Sequence, residues 1–163
     1  MKDEVSESID PVLSPDLLKL LAEMGHDDAI VLADANFTAM SLGAGKPVLR
    51  LPGLNMPRVM KAVASVLPLA QDVQYPVAFM RVCGREADFQ SAVQREALAV
   101  LEGEGLRADQ AEPVERFAFY ERVRTAYAIV VTGECQPWSN FLLRKGVLGE
   151  PLREQQIEQK TEQ

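Results

Sequence analysis

The run Met24-Gly25-His26-Asp27-Asp28-Ala29-Ile30-Val31-Leu32-Ala33-Asp34 joins the end of a predicted helix to a predicted buried strand. Gly25 is a natural left-handed stop for the helix, and the apolar residues 29–33, flanked by charge, predict the strand. His26, the only histidine of the chain, falls in the loop between them. Such loops often carry catalytic groups, and an imidazole exchanges protons near neutral pH. A lone histidine is nonetheless more often a surface or capping residue, so this run alone assigns no function.

Outward from this run, helical and strand patterns alternate along the chain. Upstream, Ser14-Pro15-Asp16 predicts a helix start, with a capping hydroxyl, a proline in the first turn and an acidic residue at the positive end of the dipole. Further helices are predicted after caps at Asn55 and Asp88 and over residues 115–126, and residues 36–45 are predicted to form a loop. The remaining predicted strands are residues 47–51, 76–82, 127–131 and 141–147. This alternation is typical of an α/β sheet covered by helices.

The length of 163 residues is typical of one domain with one core. We predict a flexible N-terminal tail over residues 1–9 and a single domain over residues 10–150. A polar C-terminal tail, rich in Glu, Gln and Lys, is predicted over residues 151–163.

Composition disfavours several classes of function. The net charge of -7 predicts no nucleic-acid partner, and no apolar run approaches the roughly 20 residues that span a bilayer. The polar, acidic N-terminus is unlike a secretory signal peptide. Cys83 and Cys135 are far apart, without a neighbouring Cys or His, so we expect no metal site and a cytoplasmic protein with free thiols. The segment Gly43-Ala44-Gly45-Lys46 lacks the length and the hydroxyl residue of a phosphate-binding P-loop, and no Gly-x-Ser-x-Gly elbow is present.

Three polar groups fall near the ends of predicted elements: His26 with Asp34, Arg116 with Tyr120, and Trp138-Ser139-Asn140. Each also has a purely structural interpretation, because Asp34 could cap a turn, Arg116 could pair with its neighbour in solvent, and Trp138 could be a core aromatic. As a functional set, carboxylate, guanidinium and amide groups supply directional hydrogen bonds, and an indole supplies a stacking face. That combination suits a polyhydroxylated ligand such as a sugar.

Three blocks of sequence resemble one known family in order and spacing across residues 10–148. Residues 13–26, Leu-Ser-Pro-Asp-Leu-Leu-Lys-Leu-Leu-Ala-Glu-Met-Gly-His, with Asp34-Ala35-Asn36-Phe37, closely resemble the N-terminal signature of the L-fucose mutarotase and D-ribose pyranase family. Residues 116–122, Arg-Phe-Ala-Phe-Tyr-Glu-Arg, and 128–134, Ala-Ile-Val-Val-Thr-Gly-Glu, resemble its second signature on the fucose side. Residues 140–147, Asn-Phe-Leu-Leu-Arg-Lys-Gly-Val, resemble its C-terminal strand.

The resemblance implies a fold, a reaction and roles for individual residues. It implies a three-layer α/β sandwich with a central mixed sheet, and a sugar mutarotase that requires no cofactor or metal. His26 matches the catalytic histidine, and Tyr120 matches a tyrosine close to the fucose-type site that could assist proton transfer. Sugar-binding roles are implied for Asp34, Arg116, Trp138, Ser139 and Asn140. Trp138 and Ser139 depart from the Tyr-Gly of the family's ligand segment, and Asn36 stands where some fucose-type members have a second histidine.

The resemblance also implies a homo-oligomer, because family members form rings, commonly decamers, with sites at subunit boundaries. The spacing of the residues agrees, since eight residues that are mostly a strand separate His26 from Asp34 by roughly 20 Å or more. One sugar therefore reaches both only if the Asp27-Asp28 turn folds back or if one residue comes from a neighbouring subunit. A pyranase that interconverts pyranose and furanose forms, a non-catalytic sugar-binding module, and a structural ring protein that has lost the site remain as alternatives.

Overall fold

A six-stranded sheet forms the centre of the molecule in a computed structural model that describes residues 8–149. The strands are β1 Ala29–Ala33, β2 Val48–Leu51, β3 Val77–Met80, β4 Ala111–Val114, β5 Ala128–Thr132 and β6 Phe141–Arg144. Their order across the sheet is β2-β5-β1-β6-β3-β4. β6 runs antiparallel to its neighbours β1 and β3, and the other neighbouring pairs are parallel, so the sheet is mixed.

Helices cover both faces of this sheet. The helices are α1 Pro15–Glu23, α2 Ala39–Leu42, α3 Met56–Ala64, α4 Ala92–Gly103 and α5 Arg116–Thr125, with a short 3-10 turn at Ala108–Gln110. The larger core cluster joins α1, α3 and α4 to one face, and the second cluster joins α2 and α5 to the other. The predicted three-layer α/β sandwich with a mixed central sheet is therefore confirmed.

β1 shows how the sequence produces these layers. Ile30 and Leu32 point into the larger cluster, whereas Val31 and Ala33 point into the second one, because successive side chains of a strand alternate between faces. All four are buried, as a strand covered on both faces requires. The interpretation of residues 29–33 as a buried strand is confirmed.

The structure corrects two local predictions and adds one strand. α4 starts later than predicted, because Ser91 and Gln94 form a reciprocal capping box, so Asp88 is not its cap. The predicted loop over residues 36–45 contains the four-residue helix α2. β4 was not predicted; it contains Pro113, and it lies at the edge of the sheet, where proline is tolerated. The predicted tail over residues 151–163, and residues 1–7 of the other predicted tail, lie outside the described residues.

Candidate active site

Most of the predicted site residues lie at one edge of the sheet. The five strands other than β6 run in the same direction, so their carboxyl ends share an edge, and β6 begins there. We call this the carboxyl edge, and the opposite one the amino edge. Asp34 follows β1, Arg116 opens α5 directly after β4, and the segment 138–140 leads into β6. The carboxyl ends of strands in open α/β sheets are where ligands commonly bind.

Asp34 and Asn140 form the buried centre of this edge. The backbone N–H of Asp34 donates to Asn140 Oδ1 at 2.8 Å, and the two residues are 2% and 3% exposed. Burial raises the pKa of the Asp34 carboxyl, against the lowering effect of hydrogen bonds from the Asn36 and Ser139 backbone N–H groups. The bond from Asn36 N–H to Asp34 Oδ1 is 3.0 Å long, so Asp34 also caps the turn that follows its strand.

Ser139 places a free hydroxyl beside this pair. Its Oγ is fully buried and has no hydrogen-bond partner among residues 8–149. Buried polar atoms are normally paired, so an orphan of this kind needs an explanation. A hydroxyl that both donates and accepts is suited to bond a sugar hydroxyl.

The backbone of Trp138 is held from behind by a residue that the sequence analysis did not select. Trp138 has a left-handed φ of 67°, and its carbonyl accepts from Gln94 Nε2 at 2.9 Å. Gln94 Nε2 also donates to the Met80 carbonyl at 2.8 Å, and Gln94 is fully buried. The indole is half-buried and packs against the second core cluster, so it takes part in the core and still exposes part of its surface. The spacing of Ser91 and Gln94 reveals the capping box but not this second role of Gln94.

Arg116 and Tyr120 lie one turn apart on α5 and form an aromatic group with their neighbours. The guanidinium of Arg116 stands 4.6 Å from the centre of the Phe117 ring and 5.8 Å from that of Tyr120. Tyr120 packs edge-to-face on Phe37, with centroids 5.8 Å apart. Glu115 does not pair with Arg116 in solvent: its carboxylate accepts from the Phe117 and Ala118 N–H groups and caps α5. The contacts shown for the guanidinium at the carboxyl edge are therefore those with the Phe117 and Tyr120 rings.

His26 lies at the amino edge, because it precedes β1 whereas Asp34 follows it. Its imidazole Nε2 is 3.1 Å from the Asp72 carboxylate, and its side chain is 44% exposed. The next residue, Asp27, has a left-handed φ of 70° and pairs with Arg144 at 2.6 and 2.8 Å. One chain thus places six of the seven predicted site residues at the carboxyl edge, and it places His26 at the other.

Within residues 8–149 there is no cluster of three or more His, Cys, Asp or Glu side chains placed to hold a metal ion. In the same range no helix is long and apolar enough to cross a membrane. Cys83 and Cys135 are exposed free thiols.

Comparison with known proteins identifies the family. A family model described as the RbsD / FucU transport protein family matches residues 7–148. The chain belongs to the RbsD/FucU family. This family member is 43% identical over 142 residues to the L-fucose mutarotase of Glaesserella parasuis serovar 5, covering 86% of this chain and 94% of that protein. It is 42% identical over 145 residues to the human fucose mutarotase, covering 87% of this chain and 94% of that one.

Solved structures of the RbsD/FucU family share the fold. The fucose mutarotase of Streptococcus pneumoniae, solved in complex with L-fucose, superposes with a TM-score of 0.80 at 38% identity, covering 86% of this chain and 98% of that one. Bacillus subtilis RbsD, solved with D-ribose, gives a TM-score of 0.64 at 24% identity, covering 91% and 100%. Because the identity to RbsD is only 24%, that similarity supports the shared fold alone. The resemblance to the mutarotase and pyranase family is confirmed.

Proposed function

We propose that this protein is a sugar mutarotase, an isomerase that interconverts the α and β anomers of L-fucose or a related monosaccharide. The observation that carries the proposal is its similarity to proteins named fucose mutarotase, which extends over 94% of their length at 42–43% identity. The carboxyl edge agrees with a polyhydroxylated ligand, because it presents a buried carboxylate, a buried amide and an unpaired hydroxyl in Asp34, Asn140 and Ser139.

In the proposed reaction, His26 shuttles one proton. The imidazole takes the proton of the anomeric hydroxyl while the C1=O1 double bond forms and the C1–O5 bond breaks. The imidazole then gives a proton to O5. Rotation of the open aldehyde presents the other face of C1, and the reverse steps close the ring. The net change in protons is zero, so neither a cofactor nor a covalent intermediate is required. General catalysis of this kind contributes about 10²–10⁴-fold.

The other residues hold the sugar. Asp34, Arg116, Ser139 and Asn140 bond its hydroxyls, and the exposed part of the Trp138 indole stacks on the ring. Tyr120 assists proton transfer or bonds a hydroxyl from its place beside Arg116.

The complete site requires two subunits. Strand β1 separates His26 from Asp34, and five residues of strand at about 3.3 Å each exceed the size of a monosaccharide. A ring-shaped homo-oligomer, which we propose is a decamer, brings the amino edge of one subunit to the carboxyl edge of another. We further propose that it works in the cytoplasm, where the exposed Cys83 and Cys135 stay reduced.

The test is saturation-transfer NMR on monosaccharides at anomeric equilibrium. The wild-type protein is expected to transfer saturation between the α and β signals of L-fucose or a related sugar. His26→Ala is expected to lose at least about 100-fold of this exchange, with an unchanged far-UV CD spectrum because the side chain is exposed.

Four other results would change the assignment. Normal exchange in His26→Ala would remove the catalytic role of His26. Binding without exchange in the wild type would make the protein a sugar-binding module, and exchange confined to pyranose and furanose signals of ribose would make it a pyranase. Failure of millimolar fucose, ribose and galactose to bind would favour a structural ring protein.

A further inference from the structure

One side-chain amide, that of Gln94, joins three separate segments next to the proposed sugar-binding residues. Its Nε2 donates to the Met80 carbonyl at the end of β3 and to the Trp138 carbonyl ahead of β6, at 2.8 and 2.9 Å. Its Oε1 accepts from the Ser91 N–H at the start of α4, at 2.9 Å. Gln94 is fully buried. A buried polar group whose bonds are all made in this way rigidifies the segments that it joins.

The Met80 and Trp138 carbonyls need a donor of a particular kind. The backbone of β3 reaches the start of β6 through the Met80 N–H, which donates to the Asn140 carbonyl at 3.0 Å. Beyond that bond, the two carbonyl oxygens share the same nitrogen of Gln94. Carbonyls cannot bond to each other, and a side-chain –NH₂ group is a neutral donor with a hydrogen for each. Gln94 thus extends the hold of β3 on the backbone ahead of β6.

The backbone ahead of β6 has a conformation that needs such support. Trp138 has a φ of 67°, in the left-handed region that residues other than glycine rarely adopt. The carbonyl that Gln94 holds belongs to the same peptide unit as the Ser139 N–H, which bonds the Asp34 carboxyl. The next residue, Asn140, accepts from the Asp34 N–H at 2.8 Å. A rotation of this peptide unit would therefore break the bond to Gln94 and disturb the groups around Asp34.

We propose that Gln94 is a positioning residue, whose amide holds the segment 138–140 in the arrangement that binds the sugar. Gln94 has no exposed surface, so it acts only through the groups that it bonds and does not touch the sugar. This inference rests on the proposed mutarotase function for its effect on sugar binding, whereas the hold on the segment can be tested without a sugar.

The first test is Gln94→Leu, which removes the amide and keeps a side chain of similar size that favours a helix. Two buried carbonyls lose their donor, and we expect the backbone to shift until water or another group reaches them. The displaced groups bind the sugar both before and during the reaction. We therefore expect the KM of anomer exchange, measured over a range of L-fucose concentrations, to rise at least about 10-fold while kcat stays within about 2-fold.

Two control variants separate the amide of Gln94 from the capping of helices. Ser91→Ala removes the hydroxyl that accepts from the Gln94 N–H at 3.1 Å, but it leaves the side-chain amide in place. Gln110→Leu removes the same type of side chain from the bond to the Arg107 N–H, at the amino edge ahead of β4. Both are expected to keep the wild-type KM. A rise in KM as large in Ser91→Ala as in Gln94→Leu would overturn the proposal, because the start of α4 would then account for the effect.

Gln94→Glu makes the hold on the segment depend on pH. A protonated carboxyl has one hydrogen to donate, and a carboxylate has none. The new group would be buried among the backbone groups of Met80, Trp138 and Ser91, which are uncharged, so we expect its pKa to lie above the ordinary range. The ratio of its KM to that of wild type at the same pH should then rise as pH rises through that pKa. A ratio of one at every pH would contradict the role of the amide.

Trp138 gives a measurement that needs neither sugar nor turnover. The chain has one tryptophan, so ¹H–¹⁵N spectra contain one indole N–H signal for each conformation of the segment. In Gln94→Leu this signal is expected to shift or to double, and in Ser91→Ala and Gln110→Leu it is expected to match that of wild type. An unchanged signal in folded Gln94→Leu would overturn the hold on the segment. If Gln94→Leu does not fold, Gln94→Glu at low pH and at high pH gives the same comparison.

Failure of this proposal is distinguishable from failure of the proposed function. Wild-type KM in folded Gln94→Leu would overturn the role of Gln94 and leave the mutarotase function intact. Absence of exchange in the wild type would overturn the function, and the indole signal would still decide whether Gln94 holds the segment. A fall in kcat with unchanged KM would contradict the positioning of sugar-binding groups, because it would place the effect on proton transfer.

Discussion

Asp34 carries a carboxyl group that is almost completely removed from solvent, at 2% exposure, next to the equally buried Asn140. Desolvation disfavours the charged form, and the raised pKa of Asp34 records that cost. The surrounding N–H donors offset only part of it. A side chain chosen for stability alone would be neutral at this position, so the charge is consistent with a binding role.

The pH dependence of stability should reveal this cost. A carboxyl whose folded pKa is raised contributes stability that is fully present below its unfolded value of 3.8 and is lost as pH rises through the folded value. Asp34→Asn removes the titrating group and keeps an oxygen that can accept from the Asn36 N–H. We expect its free energy of unfolding, relative to wild type, to rise between pH 3 and pH 7 in urea titrations.

The same variant should lose function. A hydrogen bond to a charged group contributes about 1.5–3 kcal/mol, so anomer exchange is expected to fall at least about 10-fold at pH 7. A variant that is equally active, with a stability difference that does not change with pH, would show that Asp34 is a structural cap only.

At the residue level, the sequence predicted which side chains lie at the ends of elements but not which other side chains contact them. Asp34 was predicted from its place after β1, and the structure shows it bonded to Asn140, 106 residues away. Asp72 and Gln94 were not selected, because their partners come from distant parts of the chain and neither occurs in a recognisable catalytic pattern. Spacing along one chain cannot reveal such contacts.

At the level of elements, the caps and the apolar runs carried most of the prediction. Ser14 and Asn55 cap α1 and α3 as predicted, each accepting from a backbone N–H three residues on. The prediction failed in two places. In one, two local capping signals compete, and in the other the position of a strand in the sheet decides. Asp88 has the right chemistry for a cap, but Ser91 with Gln94 satisfies two backbone donors instead of one, and Pro113 is tolerated only because β4 is an edge strand.

The packing of the loop after β5 against the segment before α3 depends on a glycine at the carboxyl edge. A Cβ at Gly133 would lie 2.5 Å from the Gly53 nitrogen, and Gly133 N–H donates to the Leu54 carbonyl at 2.8 Å. The next residue, Glu134, accepts from the Met56 N–H at the start of α3. This close approach of two backbones thus holds the loop that follows β5 against the first turn of α3.

Gly133→Ala should therefore destabilise the protein. Backbone atoms cannot move aside as a side chain can, so we expect a loss of about 1–3 kcal/mol in the free energy of unfolding, measured by urea titration. Gly103→Ala is the matched control, because a Cβ there meets nothing within 4 Å and alanine is favoured in a helix. Equal stability of the two variants would show that the loop adapts and that the close contact is not required.

At the level of the whole molecule, the sheet separates His26, the proposed acid/base residue, from the proposed sugar-binding residues. The alternation of elements predicted the α/β sheet, and the length of β1 predicted that His26 and Asp34 lie far apart. The sequence could not show that the other five residues share the carboxyl edge, because that depends on strand order and on the reversed direction of β6. Whether two subunits share a site is a property of the assembly, so it has to be tested on the assembled protein.

Mixed oligomers give that test. His26→Ala and Asp34→Asn chains are each expected to be strongly impaired alone, and they are unfolded together and refolded so that subunits exchange completely. If each site takes His26 from one subunit and Asp34 from another, random mixing in equal amounts makes about one site in four complete, whatever the symmetry of the boundary. Anomer exchange should then recover to about a quarter of the wild-type rate per subunit.

The ratio in a second mixture excludes trivial explanations such as partial activity of one variant. Chains with both substitutions are mixed in equal amounts with wild type. Shared sites require two wild-type neighbours, so they leave about one quarter of the wild-type rate per subunit. Sites within one chain leave about one half. Recovery in the first mixture together with one quarter in the second would establish a shared site. No recovery in the first and one half in the second would mean that the Asp27-Asp28 turn brings His26 to a complete site within its own chain, and no subunit boundary would then be needed to form the sugar site.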